Sequence, residues 1–197
     1  MTVSTEDGRR IVLHFESVTH RATAWVNDVE VVSHEGGYTP FEADITDHVR
    51  AGDQVRITVV VNNTLSFQSI PPGVIEDTPA GKRQRYWHDF FNYAGIHRSV
   101  WLYQTAPEHV AGITVVTGLS GGTGTIGYAT ESIGGAGTRV TLRDATGRQV
   151  AVADGASGTL TVDDVHRWAP GDGYLYDLQV QLVDDTGAVL DSYHQSV

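Results

Sequence analysis

The chain has 197 residues, with 13 Lys plus Arg against 24 Asp plus Glu and a formal net charge of −11. Basic charge this scarce excludes a nucleic-acid surface, and no apolar run approaches the roughly 20 residues of a membrane span. There is no cysteine, which excludes disulfides, cysteine nucleophiles and thiolate metal sites. The N-terminal MTVSTEDGRR shows no basic stretch followed by an apolar one, so the sequence reads as a soluble globular protein, expected in the cytoplasm.

Periodicity is almost entirely two-residue. RIVLHFE sets Ile11, Leu13 and Phe15 on one face and Val12, His14 and Glu16 on the other. ATAWVNDVEVVSH reads as strand, turn, strand, with Asn27-Asp28 suited to the left-handed conformations of a tight hairpin. FEADIT alternates again, and QVRITVVVNN puts Val55, Ile57, Val59 and Val61 on one face. No window holds a helical stripe. YWHDFFNYAGIHRSVWLY, from Tyr86 to Tyr103, breaks the pattern: seven of its eighteen residues are aromatic, and alternation resumes only toward its end, with a strand expected from Ile96 onward.

Texture changes near Ala106-Pro107. Residues 1–106 hold 13 acids and 9 bases, and the remainder 11 and 4. In the second part VTLRDATGRQVAVAD and VQLVDDTGAVLDSY echo each other as strand, D-x-T-G turn, strand. Around seven short strands fit there, as an immunoglobulin-like sandwich requires. The expected fold is all-β, with domains 1–106 and 107–197.

Most chemistry-bearing motifs dissolve on inspection. The nine His show no H-x-x-x-H spacing, so no metal is expected. SGGTGTIG lacks a phosphate-loop lysine and a following helix, and reads as a β-turn. Asp28, Asp53, Asp144, Asp184 and Asp185 sit in turn settings. Asp89 differs, because Trp87, His88, Phe90 and Phe91 flank it. A carboxylate shielded from water by those rings needs a partner. The residues leave three options open: a salt bridge to Arg85 or Arg98, bonds to backbone N–H groups, or recognition of sugar hydroxyls with rings stacked on the sugar. An aromatic cluster of this density is more often core.

The run from Arg10 to Asn63 resembles the sugar-binding domain of glycoside hydrolase family 2. HEGGYTPFEADIT, IPPG and HDFFNYAGIHRSV resemble that family's β-glucuronidases in particular, and SGTLTVDDVHRWAPGDGYLYDLQVQL resembles their next, immunoglobulin-like module. The resemblance covers nearly the whole chain. It implies a jelly-roll-like (galactose-binding-like) sandwich followed by an immunoglobulin-like one. It also implies a (β/α)₈ barrel holding both catalytic glutamates, one in an N-E-P context that does not occur here. On this reading the sandwich lacks its first strands, and the chain is inactive alone and exposes strand edges that favour self-association unless a barrel or another chain covers them. No cofactor is expected. The resemblance places contact with the terminal sugar of a β-glucuronide on Asp89 and names Trp87 as a second candidate, on the aglycone side. Asn92, Tyr93, Gly95 and Arg98 would shape and anchor the loop, with His88 a structural neighbour. Two other readings remain: a stand-alone carbohydrate-binding module of about millimolar affinity at best, and a structural interaction protein.

Overall fold

The computed structural model describes residues 8–50, 52–89 and 91–197. The chain divides into two compact units, the first ending at Thr105 and the second running from Ala106 to Val197. The only helical element among the described residues is a 3₁₀ turn at Thr46–His48, and no helix is long and apolar enough to cross a membrane.

The first unit contains strands β1 (Arg10–Phe15), β2 (Val18–Thr19), β3 (Arg21–Val26), β4 (Val29–Glu35), β5 (Phe41–Asp44), β6 (Ile57–Asn62), β7 (Gly73–Thr78), β8 (Gly81–Tyr86), β9 (Gly95–Ile96) and β10 (Val100–Thr105). Two three-stranded antiparallel sheets, β10-β1-β5 and β4-β3-β6, close over a shared core as a jelly-roll-like sandwich. Period-two alternation drives this: Ile11, Leu13 and Phe15 meet Ala22, Ala24 and Val26 from the other sheet, with Phe41, Ala43 and Ile45 beside them. Leu13, Phe15 and Ile45 are almost wholly buried, and each contributes about 1.5–3 kcal/mol by leaving water. Val12, assigned by alternation to the outer face, is buried as well. The β3–β4 turn is as expected, with Asn27 and Asp28 at φ 46° and 70°. The Asn27 side chain accepts the Arg56 N–H at 3.1 Å, and Asp28 pairs with the Arg56 guanidinium.

The second unit has seven strands: β11 (His109–Ser120), β12 (Thr123–Ile133), β13 (Gly137–Arg143), β14 (Gln149–Asp154), β15 (Ser157–Val162), β16 (Asp177–Val183) and β17 (Val189–Ser196). They form sheets β11-β12-β15 and β14-β13-β16-β17 around Ile126, Tyr128, Val140, Leu142, Leu160, Leu178 and Val180, an immunoglobulin-like sandwich. The two D-x-T-G echoes close the β13–β14 and β16–β17 hairpins in the same way. Asp144 Oδ1 accepts the Thr146 N–H, the Thr146 hydroxyl and the Arg148 N–H at 2.9, 2.6 and 3.1 Å. Asp184 Oδ1 accepts the Thr186 N–H, the Thr186 hydroxyl and the Ala188 N–H at 2.8, 2.7 and 2.9 Å. The Thr146 hydroxyl, reinforced by Arg148, holds the Asp144 carboxyl down at about 2.

Candidate functional site

The aromatic segment leaves the sandwich at the end of the β7–β8 hairpin, and the preceding loop braces that exit. Gln84 of β8 reaches across to it, accepting the Leu65 N–H at 2.6 Å and donating to the Asn63 carbonyl at 3.2 Å. Gly73, the glycine of IPPG, is required by space: a Cβ there would stand 2.5 Å from the Arg85 carbonyl and 2.7 Å from Leu65 Cδ1. Phe67 from the same loop stacks on Trp87, centroids 5.6 Å apart and planes 17° off parallel.

The far end of the segment is latched by polar groups. The Tyr38 hydroxyl donates to the Phe91 carbonyl at 3.1 Å, and His20 Nε2 meets Asn92 Oδ1 at 3.1 Å. His97 Nε2 lies 3.0 Å from Ser17 Oγ, and its Nδ1 lies 2.8 Å from Thr19 Oγ1. Ser17 Oγ donates to the Gly37 carbonyl, so it accepts from His97 Nε2–H, and Thr19 donates to His97 Nδ1. One neutral tautomer satisfies the whole chain of bonds. The Tyr93 ring stacks on His97 at 5.0 Å and 9°, with Tyr38 edge-on at 5.6 Å. Gly95 and Ile96 pair with Thr19 and Val18 as a short β9–β2 ladder. Gly95 sits at φ 79° in open space, so here backbone conformation alone calls for glycine. His20 is 2% exposed. Burial drives its pKa below the usual imidazole value, opposed in part by the Asn92 bond. With Nε2–H directed at Asn92, its Nδ1 lone pair is left buried without a partner.

Between these two anchors sits Asp89, and the structure corrects its expected shielding. Its side chain is exposed and makes no hydrogen bond or ion pair among the described residues. The rings around it turn outward: Trp87 is 48% and Phe91 76% exposed, and Tyr86 and Tyr93 are exposed too. These four rings are therefore not core. Neither arginine proposed as a partner serves. Arg85 bonds Glu76 at 3.0 Å with its guanidinium 5.9 Å from the Trp87 ring, and Arg98 is exposed without a hydrogen bond among the described residues. Asn92, Tyr93 and Gly95 shape and hold the loop through these contacts, and Arg98 acts only through its charge on Tyr38 rather than by a hydrogen bond among the described residues. His88 is exposed beside Asp89, and Phe90 lies outside the described residues.

Sequence reasoning missed Ser17, Thr19, His20, Tyr38 and His97. Ser17, Thr19, His20 and Tyr38 lie far from the loop in the chain, hinted at only by VTH and the GGY of HEGGYTPF, whereas His97 sits just past the loop and turns inward to partners about 80 residues away. It also missed the acids on the outer face of β10-β1-β5. Glu16 accepts from Trp101 Nε1 at 3.1 Å and the Ser99 N–H at 3.2 Å. Glu42 accepts from the Tyr103 hydroxyl at 2.8 Å and meets His14 Nδ1 at 3.0 Å. Burial alone would raise the Glu42 pKa, but the His14 and Tyr103 bonds outweigh it and leave it lowered. Burial first, and then the bond to Glu42, push Tyr103 up to about 12. These carboxylates are already engaged, whereas Asp89 has no partner among the described residues.

The family model described as "Glycosyl hydrolases family 2, sugar binding domain" matches residues 2–106, and that described as "Glycosyl hydrolases family 2" matches 102–197. A β-glucuronidase of Paenibacillus borealis is 46% identical over 197 residues, spanning 96% of this chain and 33% of its own. The solved β-glucuronidase of Lactobacillus rhamnosus superposes with a TM-score of 0.89 at 40% identity, covering all of this chain and 34% of that one. The Ruminococcus gnavus enzyme, solved in complex with D-glucuronic acid, gives 0.90 at 34% identity over all of this chain and 35% of its own. The chain thus spans about a third of the length of the curated relatives it matches.

Proposed function

Because the chain belongs to glycosyl hydrolase family 2, we propose that its first unit is a sugar-binding module whose loop from Trp87 to Ala94 offers Asp89 to the terminal sugar of a β-glucuronide, within a β-glucuronidase-like enzyme. The supporting observation is an exposed carboxylate without a partner among the described residues, on a loop fixed at both ends. A carboxylate placed so accepts two hydrogen bonds from neighbouring sugar hydroxyls, and charge-assisted bonds of this kind are the strong ones. The chain's part is binding and orientation. Retaining hydrolysis needs an acid and a nucleophile facing each other across the glycosidic bond, a role this reading gives to residues outside the 197.

The experiment is an Asp89→Ala substitution with two readouts. In the chain alone, saturation-transfer NMR with methyl β-D-glucuronide is expected to show weak saturable binding that the variant loses. In an active enzyme containing this chain and a catalytic domain, loss of bonds worth about 1.5–3 kcal/mol lowers kcat/KM roughly 10- to 150-fold. An unchanged kcat/KM refutes the role. Binding by the chain without hydrolysis in any assembled form would favour the stand-alone carbohydrate-binding module, a reading that the solvent exposure of Asp89 also accommodates.

A further inference from the structure

The second unit carries a cleft that the Asp89 reading does not use. One half is a cavity of about 310 Å³ lined chiefly by apolar groups, among them Leu119, Ile126, Leu142, Val165 and Trp168. The other half, about 460 Å³, is lined by Arg148, Gln149, Asp163 and Asp164 among others. Val162, His166, Tyr174 and Tyr176 line both, so the halves share a wall.

That wall is braced before any ligand arrives. The His166 and Tyr174 rings stack at 4.0 Å and 6°, and Tyr176 stands edge-on to Tyr174 at 5.1 Å. The His166 N–H donates to the Tyr176 hydroxyl at 3.0 Å, the Ala145 N–H to the Tyr174 hydroxyl at 3.2 Å, and His166 Nε2 meets Asp172 at 2.7 Å. Trp168, by contrast, is 63% exposed at the apolar end, where an indole face is available for stacking.

The geometry points to a second carbohydrate site here, taking a neutral pyranoside with an aryl aglycone. The apolar half exceeds the roughly 150 Å³ that already accommodates benzene in a protein interior, so an aryl ring fits. The polar half selects the head group. A cation wants acceptors only and an anion donors only, but Arg148 and Gln149 can donate while Asp163 and Asp164 accept. Sugar hydroxyls do both. Arg148 is already paired with Asp144 at 3.0 Å, so Asp163 and Asp164 leave the half net acidic. That disfavours a uronate and separates this site from the one proposed around Asp89.

Saturation-transfer NMR on the full chain tests this with 4-nitrophenyl β-D-glucopyranoside as the ligand. Saturation of both aryl and pyranose protons is expected, with affinity about tenfold above that of methyl β-D-glucopyranoside or 4-nitrophenol. Trp168→Ala and Asp163→Asn, both at exposed positions the fold tolerates, are each expected to weaken binding about fivefold or more, and Asp89→Ala to leave it unchanged. Absence of saturation at about 10 mM ligand overturns the site. So does 4-nitrophenol binding as tightly as the glycoside, which marks a merely apolar cavity. Loss of binding in Asp89→Ala with Trp168→Ala unaffected also overturns it and assigns the ligand to the first unit.

Discussion

Replacing His97 by Ala is expected to release the loop that carries Asp89. The imidazole holds Ser17 Oγ at 3.0 Å and Thr19 Oγ1 at 2.8 Å, and its face supports Tyr93. Each hydrogen bond contributes about 0.5–1.5 kcal/mol net, and the ring stack a similar amount. Ser17 keeps the Gly37 carbonyl as partner, but Thr19, fully buried, is left with an unsatisfied hydroxyl that costs about 1–3 kcal/mol. Allowing for overlap, local stability falls by about 3 kcal/mol, or roughly a hundredfold in an opening equilibrium. Native-state hydrogen exchange at Gly95 and Ile96, which pair with β2, reads this directly, because local opening is detected below the global unfolding free energy. Adding Thr19→Val removes the orphaned hydroxyl and is expected to recover about 1 kcal/mol or more. Exchange accelerated less than about threefold, or a double variant no better protected than His97→Ala, would refute the account of the latch.

Three further outcomes follow from the same structure. His20 has a folded pKa below its unfolded value near 6.5, so the unfolded chain takes up the proton first. Stability is therefore full above about 6.5 and falls as pH drops below it; the melting temperature should fall more between pH 7.5 and 5.5 in wild type than in His20→Asn, and equal losses would dismiss His20 as the source. Tyr103, raised to about 12 by burial and then Glu42, stabilises the fold fully below about 10, a contribution lost as pH rises through about 12. Ultraviolet titration of tyrosinate should lose a late ionisation in Tyr103→Phe, and loss of one near 10 instead contradicts the Glu42 bond. Gly73→Ala is expected to cost about 1–3 kcal/mol in urea denaturation through overlap with Arg85 and Leu65. Gly95→Ala, strained only in its backbone, costs nearer 1 kcal/mol. Equal and negligible costs would show that neither position is constrained.

The sheets were legible because a strand buried on one face must alternate. RIVLHF and FEAD, with the DATG and DDTG turns, needed no more than period-two pattern and turn chemistry. The site was less so. Rings adjacent to Asp89 in sequence suggested shelter, but adjacency does not say which way a ring points. Phe67 supplies a stacking partner twenty residues upstream of Trp87, and the rings of Trp87 and Phe91 on either side of Asp89 are exposed. The latch joins residues up to 80 apart in sequence, a separation that no local pattern encodes. The same contacts explain why β10 begins at Val100, although a strand was expected from Ile96. His97 turns inward to Ser17 and Thr19, and Ser99 exchanges bonds with Glu16 before the β1–β10 ladder starts.

The two anchors of the Asp89 loop differ in material, and that difference sets how a ligand would be met. Stacked rings and a crowded glycine hold the entry, while imidazoles and hydroxyls hold the exit. The ends of such a segment are fixed when the chain folds, so the freedom they give up is surrendered once and need not be given up again at each encounter. The carboxylate suspended between them exchanges only water when it gains a partner. Preorganisation of this sort appears more in residence time than in encounter rate, because the encounter was never waiting on the loop.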